Sequence, residues 1–242
     1  MENTPCTYFS QNEILKFYDC DYLGRMKLSA ILKWSSEIAG RDYTLKGFSH
    51  ERLWKDEMVF LLSRVSVGIK RYPTQQEELK ITTWESGTRG AMFMRKTEIE
   101  DATGEAIISL ESGWILANPL TRHIYKPSHF QHEMPQDTER EIFAEKIGKI
   151  KYNELENIST YDIEICSIDA NGHLYNSNYA DIASNIIGKN NFERVIKNFR
   201  INYICEAVLG EKIELYKSEN DNEIIVIGKV QDKTCFECIY TY

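Results

Sequence analysis

The chain has 242 residues, a formal charge of −8 and a hydrophobic fraction of 42%, enough apolar content for a core in one large domain or two small ones. Acidic residues spread along its length argue against broad nucleic-acid binding. No run of about 18 or more apolar residues is present, and Met1 to Ser10 lacks the basic and apolar blocks of a signal peptide, so no membrane insertion is expected.

After a polar start, Leu28, Ile31, Leu32, Ile38 and Ala39 recur at near-helical spacing with Lys33, Glu37 and Arg41 between them, which predicts a helix with one apolar face. Past the turn-like Gly47-Phe48-Ser49, alternation of Val65, Val67 and Ile69 with polar residues predicts a strand. Further strands are expected at 79–84, 91–100 and 105–117, with turns at Gly87 to Gly90 and at Ala102-Thr103-Gly104. From Asn118 to Ile142 the pattern lapses and three of the five prolines fall together, as in a linker between two halves.

The second half repeats the first in element order. Asp169-Ala170-Asn171-Gly172 precedes an apolar helical face of Tyr175, Tyr179, Ile182, Ala183, Ile186 and Ile187, as Asp21-Tyr22-Leu23-Gly24 precedes the first helix. Arg200 to Cys205 corresponds to Arg64 to Ile69, and strands are expected again at 212–216, 223–230 and 234–242. Two copies of one α+β unit, each a long helix against a curved antiparallel sheet, account for this order.

Asp169, Asn171 and His173 place a carboxylate, an amide and an imidazole at alternate positions, a set able to form one reaction centre. Asp, Asn and Gly also favour turns and helix caps, so the fragment has a structural reading as well. At the equivalent place the first half carries Asp21, Leu23 and Arg25, without amide or imidazole. Six cysteines, Cys6, Cys20, Cys166, Cys205, Cys235 and Cys238, follow no disulfide-scaffold pattern, which suits reduced thiols in a cytoplasm. Cys235 and Cys238 form a single CxxC, better read as strand-borne thiols than as a metal or redox site. No cofactor or metal is expected, since the five histidines are dispersed and no glycine-rich phosphate loop appears.

A long helix wrapped by an antiparallel sheet describes the hotdog fold, and the chain resembles the acyl-ACP thioesterases of plants and bacteria, which carry two tandem copies. In the first half the resemblance rests on Gly47-Phe48-Ser49, Arg71-Tyr72-Pro73, Thr83-Trp84, Ala102-Thr103-Gly104-Glu105, Trp114 to Asn118 and Thr121-Arg122. In the second it rests on Asp169-x-Asn171-x-His173 with Asn176 and Tyr179 following, and on Asn202-Tyr203-Ile204-Cys205-Glu206. It implies an α+β tandem double hotdog with an acyl-binding half at 1–130, a linker at 131–150 and a catalytic half at 151–242. It further implies Asp169, Asn171, His173 and Glu206 as the catalytic group, acyl carrier protein as the partner, and a monomeric pseudo-dimer or homodimer.

Thioester hydrolysis by this group leaves two assignments open: Asp169 as nucleophile or as general base, with Glu206 handling water and Asn171 and His173 donating to the carbonyl oxygen. Backbone N–H groups at Leu174 to Asn176, near a helix start, are further candidates for that oxygen. A cysteine follows the glutamate in some family members, but Ala207 stands there in this chain. On a strand, Glu206 would point away from both Cys205 and Ala207, which argues against a cysteine nucleophile. Asn176 and Tyr179 are read as buttresses. An acidic carrier would require a local basic cluster such as Lys149, Lys151, Lys189, Arg194, Lys197 and Arg200, and the acyl tunnel would draw on Trp34, Met58, Phe60, Met92 and Phe93. Alternatives are an acyl-CoA thioesterase, a hotdog hydratase or dehydratase, and a non-catalytic acyl-carrier-binding protein.

Overall fold

A computed structural model describes residues 7–132 and 134–242; Cys6, and with it the first six residues of the stretch read for a leader, lies outside the described residues. The first half contains β1 (Tyr8–Ile14), α1 (Leu28–Leu45), α2 (His50–Lys55), β2 (Val59–Ile69), β3 (Glu78–Arg89), β4 (Met92–Glu100) and β5 (Ala106–Ala117). The second contains β6 (Glu156–Asp162), α3 (Asn178–Ile186), α4 (Lys189–Phe192), β7 (Asn198–Tyr203), β8 (Lys212–Glu219), β9 (Glu223–Val230) and β10 (Lys233–Thr241).

All ten strands form one antiparallel sheet in the order β1-β3-β4-β5-β2-β7-β10-β9-β8-β6. Read from its centre outwards the order is the same on both sides, so a pseudo-twofold axis passes between β2 and β7. The seam pairs Arg64 with Asn202 and Ser66 with Arg200, a reciprocal register expected when two copies of one strand meet antiparallel. The apolar stripe of α1, with Ile31, Leu32 and Ile38, and the apolar face of α3, with Tyr179, Ile182 and Ala183, join the inner face of the sheet in one core. This is the α+β tandem double hotdog.

Local differences from the sequence reading have identifiable causes. The edge strands β1 and β6 and the short helix α2 lack a strong apolar pattern because only one side of each is covered. The turn expected at Gly87 to Gly90 tightens to the end of β3, with a register shift between Glu85 and Thr88. α3 has nine residues and starts after Ser177, so the second helix is half the length of α1 and its first apolar position, Tyr175, lies in the preceding loop.

Within 118–155 the described residues contain a 3-10 turn at Pro127–His129 and isolated bridges and no further helix or strand. They strap the sheet face opposite the helices: Ala144 N donates to Ser109 Oγ and Ile147 N to Glu111 Oε2, both at 2.8 Å. The strap comes so close that a Cβ on Gly68 would lie 2.9 Å from Ala144 Cα. No helix among the described residues is long and apolar enough to cross a membrane.

Candidate active site

Asp169 organises the loop that carries the other two motif residues. Its N–H donates to His173 O at 2.8 Å, its C=O accepts from Gly172 N at 3.0 Å, and its Oδ1 accepts from Asn171 N at 2.8 Å and His173 N at 3.1 Å. Gly172 has φ 83°, a left-handed conformation that glycine adopts without strain. The first half builds the same loop: Asp21 Oδ1 accepts from Leu23 N at 2.8 Å and Arg25 N at 3.0 Å, with Gly24 at φ 75°. One oxygen of each aspartate is therefore structural. The aspartate closes its own turn and does not cap α3, which starts after Ser177 with no side-chain cap.

The halves diverge at the other oxygen. Arg25 Nε donates to Asp21 Oδ2 at 3.0 Å, whereas among the described residues Asp169 Oδ2 has only the Asn171 amide, Nδ2, at 3.4 Å. Backbone pairing then fixes the remaining counterparts. Met26 N donates to Pro73 O and Leu174 N to Ala207 O, so Tyr72 is the equivalent of Glu206. In the first half the Arg25 guanidinium lies 5.0 Å from the centre of the Tyr72 ring and donates to Phe192 O at 2.9 Å, filling the space. In the second half His173 Nε2 lies 3.2 Å from Glu206 Oε2, beside an open cavity.

A residue outside the expected group completes this arrangement. Arg122 Nη2 lies 2.9 Å from Glu206 Oε2 and 3.1 Å from His173 Nε2. It comes from the first half, in a turn after β5 where Asn118 Oδ1 accepts from Leu120 N and Thr121 N, and it sits at φ 60°. Nε2 can donate to Glu206 or accept from Arg122, one at a time, so the imidazole has two hydrogen-bonding states within one geometry. Thr121-Arg122 was visible as a family-like pair, but nothing in the sequence shows that it reaches across to the second half.

Glu206 is not on a strand. β7 ends at Tyr203, where Ile204 N and Cys205 N both donate to Cys235 O, at 2.8 and 3.2 Å, and the chain bends towards its pairing with Leu174. Alternation of faces therefore does not separate the two residues: Cys205 and Glu206 line the same cavity. His173 Nε2 is nevertheless committed to Glu206 and Arg122. The backbone donors expected near Leu174 to Asn176 are also largely spent, since Leu174 N bonds Ala207 O and Tyr175 N bonds Ser167 O. Asn176 and Tyr179 do support the loop: Asn176 O accepts from Tyr203 OH at 3.0 Å, and Tyr179 packs edge-on against that ring.

Asp169, Asn171, His173, Glu206 and Arg122 thus converge on one cavity of about 620 Å³. His50, Val59, Phe60 and Trp114 line both this cavity and a second of about 410 Å³ under α1. Of the tunnel candidates, Phe60 and Phe93 line that second chamber; Trp34 instead donates to Asp19, and Met92 packs beside Gly113. None of the six candidate basic residues lines either cavity. Arg194 donates to Asp221 O, Lys189 pairs with Glu193, and Arg200 pairs with Glu145, so half of that cluster is spent on neighbours.

The fold and the single open centre define a tandem hotdog protein in which one of two equivalent loops has kept its polar groups. The sequence matches the acyl-ACP thioesterase N-terminal domain over residues 7–133 and the acyl-ACP thioesterase C-terminal domain over 150–234; the chain belongs to this family. Among solved structures it is similar to an acyl-ACP thioesterase from Bacteroides thetaiotaomicron, with TM-score 0.87 and 20% identity over 97% of both chains. It is likewise similar to the 12:0-ACP thioesterase of Umbellularia californica, with TM-score 0.81 and 16% identity over 98% of this chain and 97% of that one. A curated relative, the chloroplastic palmitoyl-acyl carrier protein thioesterase of Cuphea hookeriana, is 24% identical over 136 residues, which is 52% of this chain. The match spans about a third of that relative's length, 32%.

Proposed function

We propose that the protein hydrolyses acyl thioesters of acyl carrier protein and releases free fatty acid, as a step of fatty acid biosynthesis in the cytoplasm. The observation that carries this reading is the contrast between the two loops: the second half frees the carboxylate oxygen that Arg25 occupies in the first, and opens a cavity in front of it. Family membership and the apolar chamber that shares His50, Val59, Phe60 and Trp114 with that cavity support the same reading.

Asp169 Oδ2 takes a proton from water as the water attacks the thioester carbonyl. Asn171 and Arg122, with His173 through Nδ1–H when its Nε2 accepts from Arg122, are the donors available to the developing oxyanion, and loss of one such donor costs about 3 to 4 kcal/mol where it has been measured. Glu206 holds Arg122 and the His173 ring in place. The acyl chain lies in the first-half chamber, so the first half binds and the second half catalyses. No help is needed at the sulfur, because a thiolate leaves readily.

The test is release of the carrier thiol from saturated acyl thioesters, measured in parallel on acyl carrier protein and on coenzyme A. Preference for the protein carrier is expected. Equal or better use of coenzyme A would reassign the substrate, and enoyl hydration without thiol release would replace the hydrolase with a hydratase.

A further inference from the structure

The chamber under α1 is walled chiefly by Tyr43, Phe48, Phe60, Phe93 and Trp114, yet Glu85 and Arg95 line it too. Both are buried, at 5% and 2% exposure. Arg95 Nη2 donates to Glu85 Oε1 and, at 2.9 Å, to Asp42 Oδ2; its Nη1 donates to Thr83 Oγ1 at 3.1 Å. Lys46 Nζ donates to Asp42 Oδ2 at 2.8 Å. Two cations therefore match two carboxylates within this group; Glu37 and Arg41 of α1, which also line the chamber, lie outside it. Burial, reinforced by the Glu85 charge, holds the Tyr43 phenol well above its ordinary range, so it remains a neutral hydroxyl beside the ion group.

The position of this group follows from the strand order. The chamber and the active-site cavity share Val59 and Phe60 on β2 and Trp114 on β5 as lining. Phe93 on β4 pairs with Trp114, and Arg95 on β4 pairs with Glu85 on β3. From β2 to β3 is three strand spacings, roughly 14 Å, so the ion group forms the wall far from the reaction centre.

We propose that this far wall is a binding site for a hydroxyl near the ω-end of the acyl chain. The proposal rests on the reading that the chamber holds that chain. A hydroxyl can donate to the Glu85 carboxylate and accept from the neighbouring phenol or guanidinium, replacing the water it displaces. A methyl end reaching the same wall strips water from buried charges and gives nothing back. A terminal carboxylate at this wall meets the Glu85 charge, and the Arg95 guanidinium beside it is already shared between Glu85 and Asp42.

The experiment compares kcat/KM for saturated, ω-hydroxy and ω-carboxy acyl thioesters of acyl carrier protein over a series of chain lengths. Beyond the length at which saturated chains begin to lose rate, the ω-hydroxy substrate is expected to exceed the saturated one by about tenfold, the scale of one net hydrogen bond to a charged group. The ω-carboxy substrate should be the poorest. Replacing the pair together, Glu85→Leu with Arg95→Met, keeps the charge balance and should abolish the preference while improving the longest saturated substrate. Glu85→Gln, nearly isosteric, should reduce the preference severalfold and serves if the double variant melts early. Equal rates for hydroxy and saturated chains at every length, or a preference that survives the double variant, overturns the proposal. If no thioester is cleaved, the hydrolase reading fails separately. Quenching of tryptophan fluorescence by matched free fatty acids then decides the binding site, because Trp114 lines the chamber: tighter binding of the ω-hydroxy acid supports it and equal binding removes it.

Discussion

Arg25 and His173 occupy the same position in two copies of one loop, and each has its N–H bound by the Oδ1 of an aspartate four residues earlier. Arg25 turns back to neutralise that aspartate's second oxygen, while His173 leaves it alone and pairs with Glu206. The comparison separates what the loop needs from what a reaction needs. Asp169→Asn should keep the turn, since an amide oxygen can still accept both N–H bonds, and lower turnover by about two orders of magnitude or more without a drop in melting temperature. Asp21→Asn should leave turnover unchanged. Retained activity in Asp169→Asn would remove this residue from the chemistry.

Arg122 is the first-half side chain that reaches Glu206 and His173. Arg122→Ala should lower kcat roughly a hundredfold, the usual cost of losing one donor to an oxyanion, and Arg122→Lys should recover part of it because the charge returns without the planar fork. A change confined to KM would instead make Arg122 a contact for the carrier arm.

The thiols should divide by position. Cys205 and Cys166 are exposed, whereas Cys235 and Cys238 are buried on β10. Burial pushes the Cys235 thiol up to about 12, and it raises Cys238 as well. Thiol reagents at mildly alkaline pH should therefore modify Cys205 and Cys166 quickly and reach the CxxC pair only on unfolding. Cys205→Ala should change turnover little. Near-complete loss in that variant would restore a thiol mechanism, which its place in the cavity no longer forbids.

Acid sensitivity should arise partly at the turn between β4 and β5. The Thr103 hydroxyl, followed by the Arg71 guanidinium and two backbone N–H groups, lowers the Asp101 carboxyl to about 2. A carboxylate whose pKa is depressed on folding stabilises the fold above its unfolded value, near 4, and that contribution is lost as pH falls through about 2. Asp101→Asn should flatten the loss of stability across this window, as followed by urea unfolding at successive pH values.

Close approach of the strap makes a further demand. A methyl at position 68 meets main-chain atoms of Ala144, which cannot move as a side-chain tip can, so Gly68→Ala should cost about 1 to 3 kcal/mol of stability. An unchanged melting temperature would mean that the strap lifts easily from the sheet.

Much of this molecule is readable from local pattern. The apolar stripe from Leu28 to Ala39, the strand alternation around Val65, and the repeat linking Asp21 to Asp169 all follow from periodicities of 3.6 and 2. Glu206 escaped correct placement because the end of β7 is set by the two N–H groups that share Cys235 O, a contact thirty residues away in sequence. Arg122 escaped for a related reason: its partners belong to the other half, and its left-handed backbone depends on the Asn118 turn. The buried pairing of Glu85 with Arg95 is likewise invisible to a pattern reading, which treats charges as surface.

The seam between β2 and β7 consists of main-chain pairing over Arg64 to Gly68 against Asn198 to Asn202, and it runs behind a centre to which both halves contribute. Expressed alone, either half would display a bare strand edge and its share of an unfinished core, a template for self-association. Separate fragments should therefore aggregate or pair with themselves, and only co-expression of the two pieces should restore both solubility and turnover at the same time.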